Sequence, residues 1–379
     1  MGERSGLLLL DGKLVPGSVH FEAGRITRIE PLEQSALVLP VIAPGFVDLH
    51  VHGYNGCAPT SDLAGMAAAL ASVGTTGFLP TLFPEQPQAL GATCERVWGA
   101  AQKLDHGARA LGLHLEGPFV NPGSAGALPM DCLAEPSTEA LAAILGSDGR
   151  GVRTMTLAPE LPGSPDLIRE LRQGGVRVSL GHSLASCQAT RVAAKAGAAG
   201  VTHLFNAMGQ LHHREIGLLG YALSSDALCA EIIGDLVHVG RDAVEMTLEM
   251  RGVEGLALVS DALEGAGTGC DVFECHGATH RIRDGAIWID DESAPGGSRL
   301  GGAATPQLGA VQRLVRAGVV SLPDALRMAS ETPARSLGLQ DELGCLKVGA
   351  RADLVVLDSD LELREVLVGG KIFEAWHPG

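Results

Sequence analysis

Apolar and polar positions change rhythm twice along the chain. Leu7–Leu10, Lys13–Val15, Ser18–Phe21 and Arg25–Glu30 are short extended runs, divided by the turn pairs Asp11-Gly12, Pro16-Gly17 and Ala23-Gly24. At the far end Ala352–Leu357 and Glu365–Val368 are strand-like, and Gly369-Gly370 predicts a hairpin turn into Lys371–Ala375. Neither end, at roughly forty residues or fewer, can build a core of its own. Residues 1–43 and 341–379 are therefore expected to pack together as one small β domain.

Between them, residues 44–340 alternate. Short apolar runs end in polar residues and give way to Ala-rich helical stretches. The runs are Gly45–His50, Thr76–Leu82, Ala110–Glu116, Val152–Ala158, Val176–His182, Val201–Asn206, Ala230–His238 and Leu256–Asp261. Helices are expected over Asp62–Val73, Gln86–Leu104, Ser186–Ala196, Asp242–Arg251, Thr305–Ala317 and Pro323–Leu337. Eight such strands alternating with helices predict an α/β fold. Its form is a (β/α)8 TIM-like barrel with a small β-sandwich domain built from both termini. Val272–Asp290 alternates instead with period two and turns at Asp284-Gly285, which predicts a β excursion after the eighth strand.

Composition narrows the function. The chain carries a formal charge of −16, which excludes the basic footprint of a nucleic-acid binder. Hydrophobic residues make up 46%, enough for a packed core, and aromatics only 3%, so that core is built from Ala, Leu and Val. Leu7–Leu10 is too short to span a bilayer or to serve as an export signal. The eight cysteines contain no CxxC pair and read as reduced thiols of a cytoplasmic protein.

The polar residues at the strand ends are the candidate chemistry, because barrel enzymes place their active sites there. Residues two apart on a strand share a face. His50 and His52 therefore project together, as do His114 and Glu116. His182, His203 and Asp261 stand at three further strand ends. Imidazoles and carboxylates on one rim suit a borderline divalent ion such as zinc. Any one of these residues alone would read as a core or capping side chain. Their recurrence at five separate strand ends points to a metal site.

The string Pro44-Gly45-Phe46-Val47-Asp48-Leu49-His50-Val51-His52-Gly53 resembles the opening motif of the amidohydrolase superfamily. His114-Leu115-Glu116-Gly117-Pro118-Phe119, Gly181-His182-Ser183, Thr202–Met208 and Val259-Ser260-Asp261-Ala262 resemble its N-acetylglucosamine-6-phosphate deacetylase branch. Gly349–Val356 is similar to the superfamily's closing β segment. The resemblance implies that Glu116 takes the place of a carboxylated lysine. It implies that Glu116, His182 and His203 hold the principal metal, and that His50 and His52 add ligands for a second, with Glu116 bridging. One or two ions follow from it, zinc first, then iron, cobalt or manganese. Asp261 becomes the proton carrier. Asn206, the backbone of Ala207, Arg214 and His238 become contacts to a phosphorylated N-acetyl amino sugar, and a homodimer is implied.

Two positions depart from that pattern. Gly126-Ala127-Leu128 stands where the branch carries a Gly-x-His string, leaving only the backbone of Ala127 for the sugar. Leu300-Gly301-Gly302-Ala303 replaces a Leu-Ala-Gly-Ser string. N-acetylgalactosamine-6-phosphate thus stands as an alternative substrate. More distantly, the motifs are also compatible with a D-aminoacylase-like amidohydrolase or a non-catalytic barrel scaffold. Because the implied substrate is an anion and the chain is acidic, the acid is expected to lie away from the barrel mouth.

Overall fold

The computed structural model describes residues 1–33, 39–275, 277–291, 294 and 296–373. The N-terminal strands are β1 (Gly2–Leu10), β2 (Lys13–Glu22), β3 (Arg25–Pro31) and β4 (Val41–Pro44). β1 and β2 form a hairpin through Asp11-Gly12, where both residues adopt positive φ.

The barrel comprises β5 (Phe46–Val51), β6 (Thr75–Leu82), a short β7 (Arg109–Ala110), β8 (Leu113–Glu116), β9 (Val152–Leu157), β10 (Arg177–Leu180), β11 (Gly200–Val201), β12 (Cys229–Ile233) and β13 (Leu256–Val259). They are parallel throughout and run in the order β5-β6-β8-β9-β10-β11-β12-β13, with β7 beside β6. The barrel is closed at its mouth by hydrogen bonds between the first and last strands. Asp261 N–H donates to His50 O and His52 N–H to Ala262 O, each at 2.9 Å. Parallel strands covered on both faces read as unbroken Val, Leu and Ile runs. On β6 and β8, accordingly, Phe78, Leu79, Leu82, Leu113 and Leu115 are all buried.

Around the barrel lie α1 (Leu63–Ala71), α2 (Pro87–Ala101), α3 (Thr138–Leu145), α4 (Ser164–Gln173), α5 (Cys187–Ala196), α6 (Gly217–Ser224), α7 (Arg241–Arg251), α8 (Gln307–Arg316), α9 (Leu322–Ala329) and α10 (Glu331–Ser336). Side chains of Asp62, Ser137, Ser186 and Ser321 cap four of them. The single helix expected over Pro323–Leu337 is two, broken at Ser330, whose φ and ψ of −129° and −67° are not helical. α3, α4 and α6 have no counterpart among the expected helices. α3 and α6 are only 8 residues each, and α4 has a charged surface that masks its apolar stripe.

The excursion is a four-stranded antiparallel sheet of β14 (Val272–Cys275), β15 (Ala278–Arg283), β16 (Ala286–Asp290) and β17 (Ser298–Ala303). The chain returns through β18 (Leu354–Leu357), β19 (Leu363–Val368) and β20 (Lys371–Ile372), which join β1–β4 in one seven-stranded sheet, order β20-β19-β18-β4-β1-β2-β3. Glu374 and Ala375, at the end of the expected last strand, lie outside the described residues. Alternation divides this sheet between two cores. Leu8, Ile42, Leu354 and Val356 pack with Val19, Phe21, Ile26 and Leu367 inside the small β unit. Leu9, Val41, Ala43, Val355 and Leu357 face the barrel core. The sheet curls over itself, since Ile26 N–H donates to Ala350 O and Ala352 N–H to Gly24 O.

Candidate metal centre and active site

β5 delivers two side chains directly. His50 lies in the strand and His52 just beyond it, and their Nε2 atoms are 3.1 Å apart. Asp261 Oδ1 lies 3.4 Å from His50 Nε2 and 3.7 Å from His52 Nε2. Glu116, the last residue of β8, brings Oε1 to 2.9 Å from His182 Nε2, 3.0 Å from His203 Nε2 and 3.4 Å from His50 Nε2. Its Oε2 lies 3.1 Å from His52 Nε2. Two groups result, His50–His52–Asp261 and Glu116–His182–His203, and Glu116 touches both.

Three further side chains arrive differently from the alternation expected of them. β10, β11 and β13 stop two residues short of His182, His203 and Asp261. These three adopt positive φ of 48°, 29° and 50°. A left-handed residue redirects the chain, so the loops aim these groups and the strands only carry them to the rim. Asp48 supports the arrangement from below. Its Oδ1 accepts from the N–H groups of His50 and Ser260, both at 3.2 Å, across the barrel seam, and burial pushes its carboxyl up to about 7.

The residues fit a cation. His182 Nδ1–H donates to Ser124 O at 3.1 Å, which leaves Nε2 as a lone-pair donor facing His203 Nε2 at 3.0 Å. Two imidazole nitrogens at this distance around one carboxylate are a ligand set for a divalent metal. The electrostatics agree. Burial would raise the Glu116 carboxyl, but the His50, His182 and His203 imidazoles around it hold it well below its ordinary value. Burial opposes charge on His203, yet the Glu116 hydrogen bond and the charges of Glu116, Asp261 and Glu231 push it up to about 9. His50 goes the other way, to about 4, chiefly through burial. The cluster therefore attracts positive charge at its centre.

A cavity of about 180 Å³ opens over these groups. It is lined by the expected Ala127, Asn206, Ala207 and His238 together with Phe83, Leu128 and Gly301. His238 Nδ1–H donates to Asp235 Oδ2 at 2.7 Å, and Asp235 Oδ1 also accepts from the Val237 and His238 N–H groups. Arg214 is not among the lining residues. It is exposed, and its guanidinium meets His213 Nε2 at 2.8 Å. His114 joins neither ligand group, although it shares a strand face with Glu116. Its Nδ1–H donates to Leu49 O at 3.0 Å and its Nε2 meets Thr156 Oγ1 at 2.8 Å, in the barrel interior. Two functional side chains escape the sequence pattern. One is Phe83, stacked on His52 with ring centroids 4.0 Å apart. The second is Asp235, whose place three residues before His238 is a local signal that Phe83 lacks.

This is the mouth of a parallel barrel with paired His and carboxylate clusters. Residues 41–373 match the model of the amidohydrolase family, and the chain belongs to that family, whose members are hydrolases acting on amides and related bonds with a divalent metal. Its relatives place it further. It is 33% identical over 372 residues to the N-acetylgalactosamine-6-phosphate deacetylase of Escherichia coli O157:H7, covering 97% of each chain. It is 34% identical to the human N-acetylglucosamine-6-phosphate deacetylase, covering 96% of this chain and 93% of that one. Among solved structures it is similar to the Mycobacterium smegmatis N-acetyl-D-glucosamine-6-phosphate deacetylase complexed with N-acetyl-D-glucosamine-6-phosphate. That match has a TM-score of 0.86 and 27% identity and covers 98% of both chains. Within the amidohydrolases, the chain stands in the N-acetylglucosamine-6-phosphate deacetylase branch.

Proposed function

We propose that the protein hydrolyses the acetamide of N-acetylglucosamine-6-phosphate, giving glucosamine-6-phosphate and acetate. The observation that carries this reading is Glu116 set between two histidine pairs, with Asp261 beside them at the cavity floor. Glu116, His182 and His203 would hold the principal ion. His50 and His52 would serve a second, with Glu116 bridging. The mixed N and O donor set favours zinc, followed by iron, cobalt or manganese. When bound, such an ion supplies Lewis acidity to the acyl carbonyl and to water.

The chain's own groups do the rest. Asp261 accepts a proton from the attacking water as the new C–O bond forms. It returns that proton to the nitrogen as the C–N bond breaks, so the amine leaves neutral. Asp235 holds the Nδ1 proton of His238 and so fixes the ring, whose other edge would serve the acyl group from the cavity wall. Asn206 and the backbone of Ala207 and Ala127 orient the sugar. Arg214 is not among the described residues that line the cavity, and a role on the phosphate would fall to the same loop of a second copy. The exposed Leu184 and Leu211 beside that loop support a homodimer. Eight free cysteines support a cytoplasmic setting.

N-acetylgalactosamine-6-phosphate is the second reading. Leu128, buried against the cavity where the branch has a polar residue, and the similarity to a relative named N-acetylgalactosamine-6-phosphate deacetylase both favour it. Steady-state rates on the two epimers and on unphosphorylated N-acetylglucosamine decide. The glucosamine reading predicts the highest kcat/KM for N-acetylglucosamine-6-phosphate and a large loss without phosphate. A tenfold preference for the galactosamine epimer overturns it in favour of the second.

A further inference from the structure

Behind the ligand groups lies a buried ion pair that the proposed chemistry does not use. Glu231 stands in the middle of β12 and is fully buried. Arg177 stands at the start of β10 with its side chain 8% exposed. Between these strands runs β11, and its Gly200 makes room for the guanidinium. A Cβ there would lie 2.2 Å from an Arg177 terminal nitrogen. The Arg177 guanidinium comes to 3.6 Å from Glu231 Oε1, and Glu231 Oε2 lies 3.5 Å from His50 Nδ1. Among the described residues neither carboxylate oxygen, no guanidinium nitrogen and not His50 Nδ1 has a hydrogen-bond partner. A row of arginine, glutamate and histidine thus runs through the barrel to the nitrogen opposite the one that faces Asp261 and Glu116.

A buried carboxylate with both oxygens unsatisfied is costly unless it is paired. An apolar pair would fill the same space without that cost. The direction of the row offers a reason for keeping it. An imidazole that binds a metal through Nε2 carries its proton on Nδ1, and a carboxylate at Nδ1 fixes that tautomer and strengthens the donor. We propose that Glu231, neutralised by Arg177, is a positioning residue for His50. It faces the Nδ1–H of His50 as an acceptor, which keeps the proton on Nδ1 and so presents the Nε2 lone pair to an ion shared with His52 and Asp261. The inference rests on the metal-dependent reading above. It assigns a task to two side chains that touch neither substrate nor ion.

The test separates positioning from mere packing. In the double variant Arg177→Met/Glu231→Met the charges go together, so neither is left buried alone. Full-length wild type and variant are stripped, loaded with Co²⁺ and dialysed against a chelator. Bound equivalents, the visible cobalt band and the thermal midpoint of the metal-free forms are then measured. The expected result is a variant whose metal-free midpoint is close to wild type but whose affinity at the His50 pair is roughly 10–100-fold lower. That loss would appear as one equivalent released early, with its band. If metal-free Glu231→Met alone unfolds, the double variant still decides. A folded double variant that keeps every equivalent within twofold of wild-type affinity overturns the inference and leaves the functional reading intact. A wild type that binds no cobalt overturns both.

Discussion

Glu116, His50 and His52 point where their strands point them, so their place at the rim is legible from spacing, while the roles proposed for them come from the family resemblance. His182, His203 and Asp261 are legible as residues but not as directions. Each sits two positions past its strand in a left-handed conformation that no alternation rule supplies. His114 shows the converse, a residue on the right face that the interior claims through Leu49 and Thr156. Asp235 carries a prediction at this scale. Burial would raise its carboxyl, but the His238 hydrogen bond and charge and two backbone N–H groups hold it below its ordinary 3.8. A carboxyl depressed in the fold adds stability above its unfolded value and loses it as the pH falls through the lower, folded one. Denaturation midpoints of wild type should therefore drop below about pH 4 more steeply than those of Asp235→Asn. Parallel acid limbs would remove Asp235 from the account.

Barrel strands are legible as elements because parallel strands buried on both faces read as unbroken apolar runs. Their ends are not. Val201–Asn206 yields only Val201 to the sheet, at the close of β11, since the chain leaves to aim His203. The β17 end and the loop before α6 carry two predictions. Gly302 has a φ of +140°, and a Cβ on it would lie 2.9 Å from Asp261 O, whose acceptor role toward Ala303 N–H joins the β17 end to the barrel rim. Gly302→Ala should displace Asp261 at a strain of about 1–3 kcal/mol and lower kcat with little loss of bound metal. An unchanged kcat would show that the Asp261 backbone tolerates the shift. Arg214, exposed on the loop before α6, should act on substrate binding alone. Arg214→Met is expected to raise KM for the phosphorylated sugar roughly 10–100-fold, as for a lost charged hydrogen bond, and to leave the unphosphorylated sugar unaffected. Equal effects on both would detach Arg214 from the phosphate.

At the scale of the molecule, the closing of both termini into one sheet is readable from two β-rich ends each too short for a core. The partition of Leu8 and Leu9 between two cores is not, because it depends on which face the barrel covers. Charge is readable only as a total. A −16 chain proposed to bind an anion must do so through a local field. The carboxylates at the mouth, Glu116 and Asp261, are set among four imidazoles, where a bound cation would supply that field. Among the described residues no helix is long and apolar enough to cross a membrane.

The central claim is that a metal-loaded cluster and Asp261 together cleave an acetamide. The most direct measurement is acetate release from N-acetylglucosamine-6-phosphate by wild type and Asp261→Asn, each stripped with chelator and reloaded with zinc, with bound metal determined in parallel. Stripped wild type should be inactive and recover on reloading. Asp261→Asn should keep at least the ion of the Glu116–His182–His203 group while losing roughly 10²–10⁴ of the rate. A stripped wild type that still turns over, or a metal-loaded Asp261→Asn close to the wild-type rate, would contradict the account.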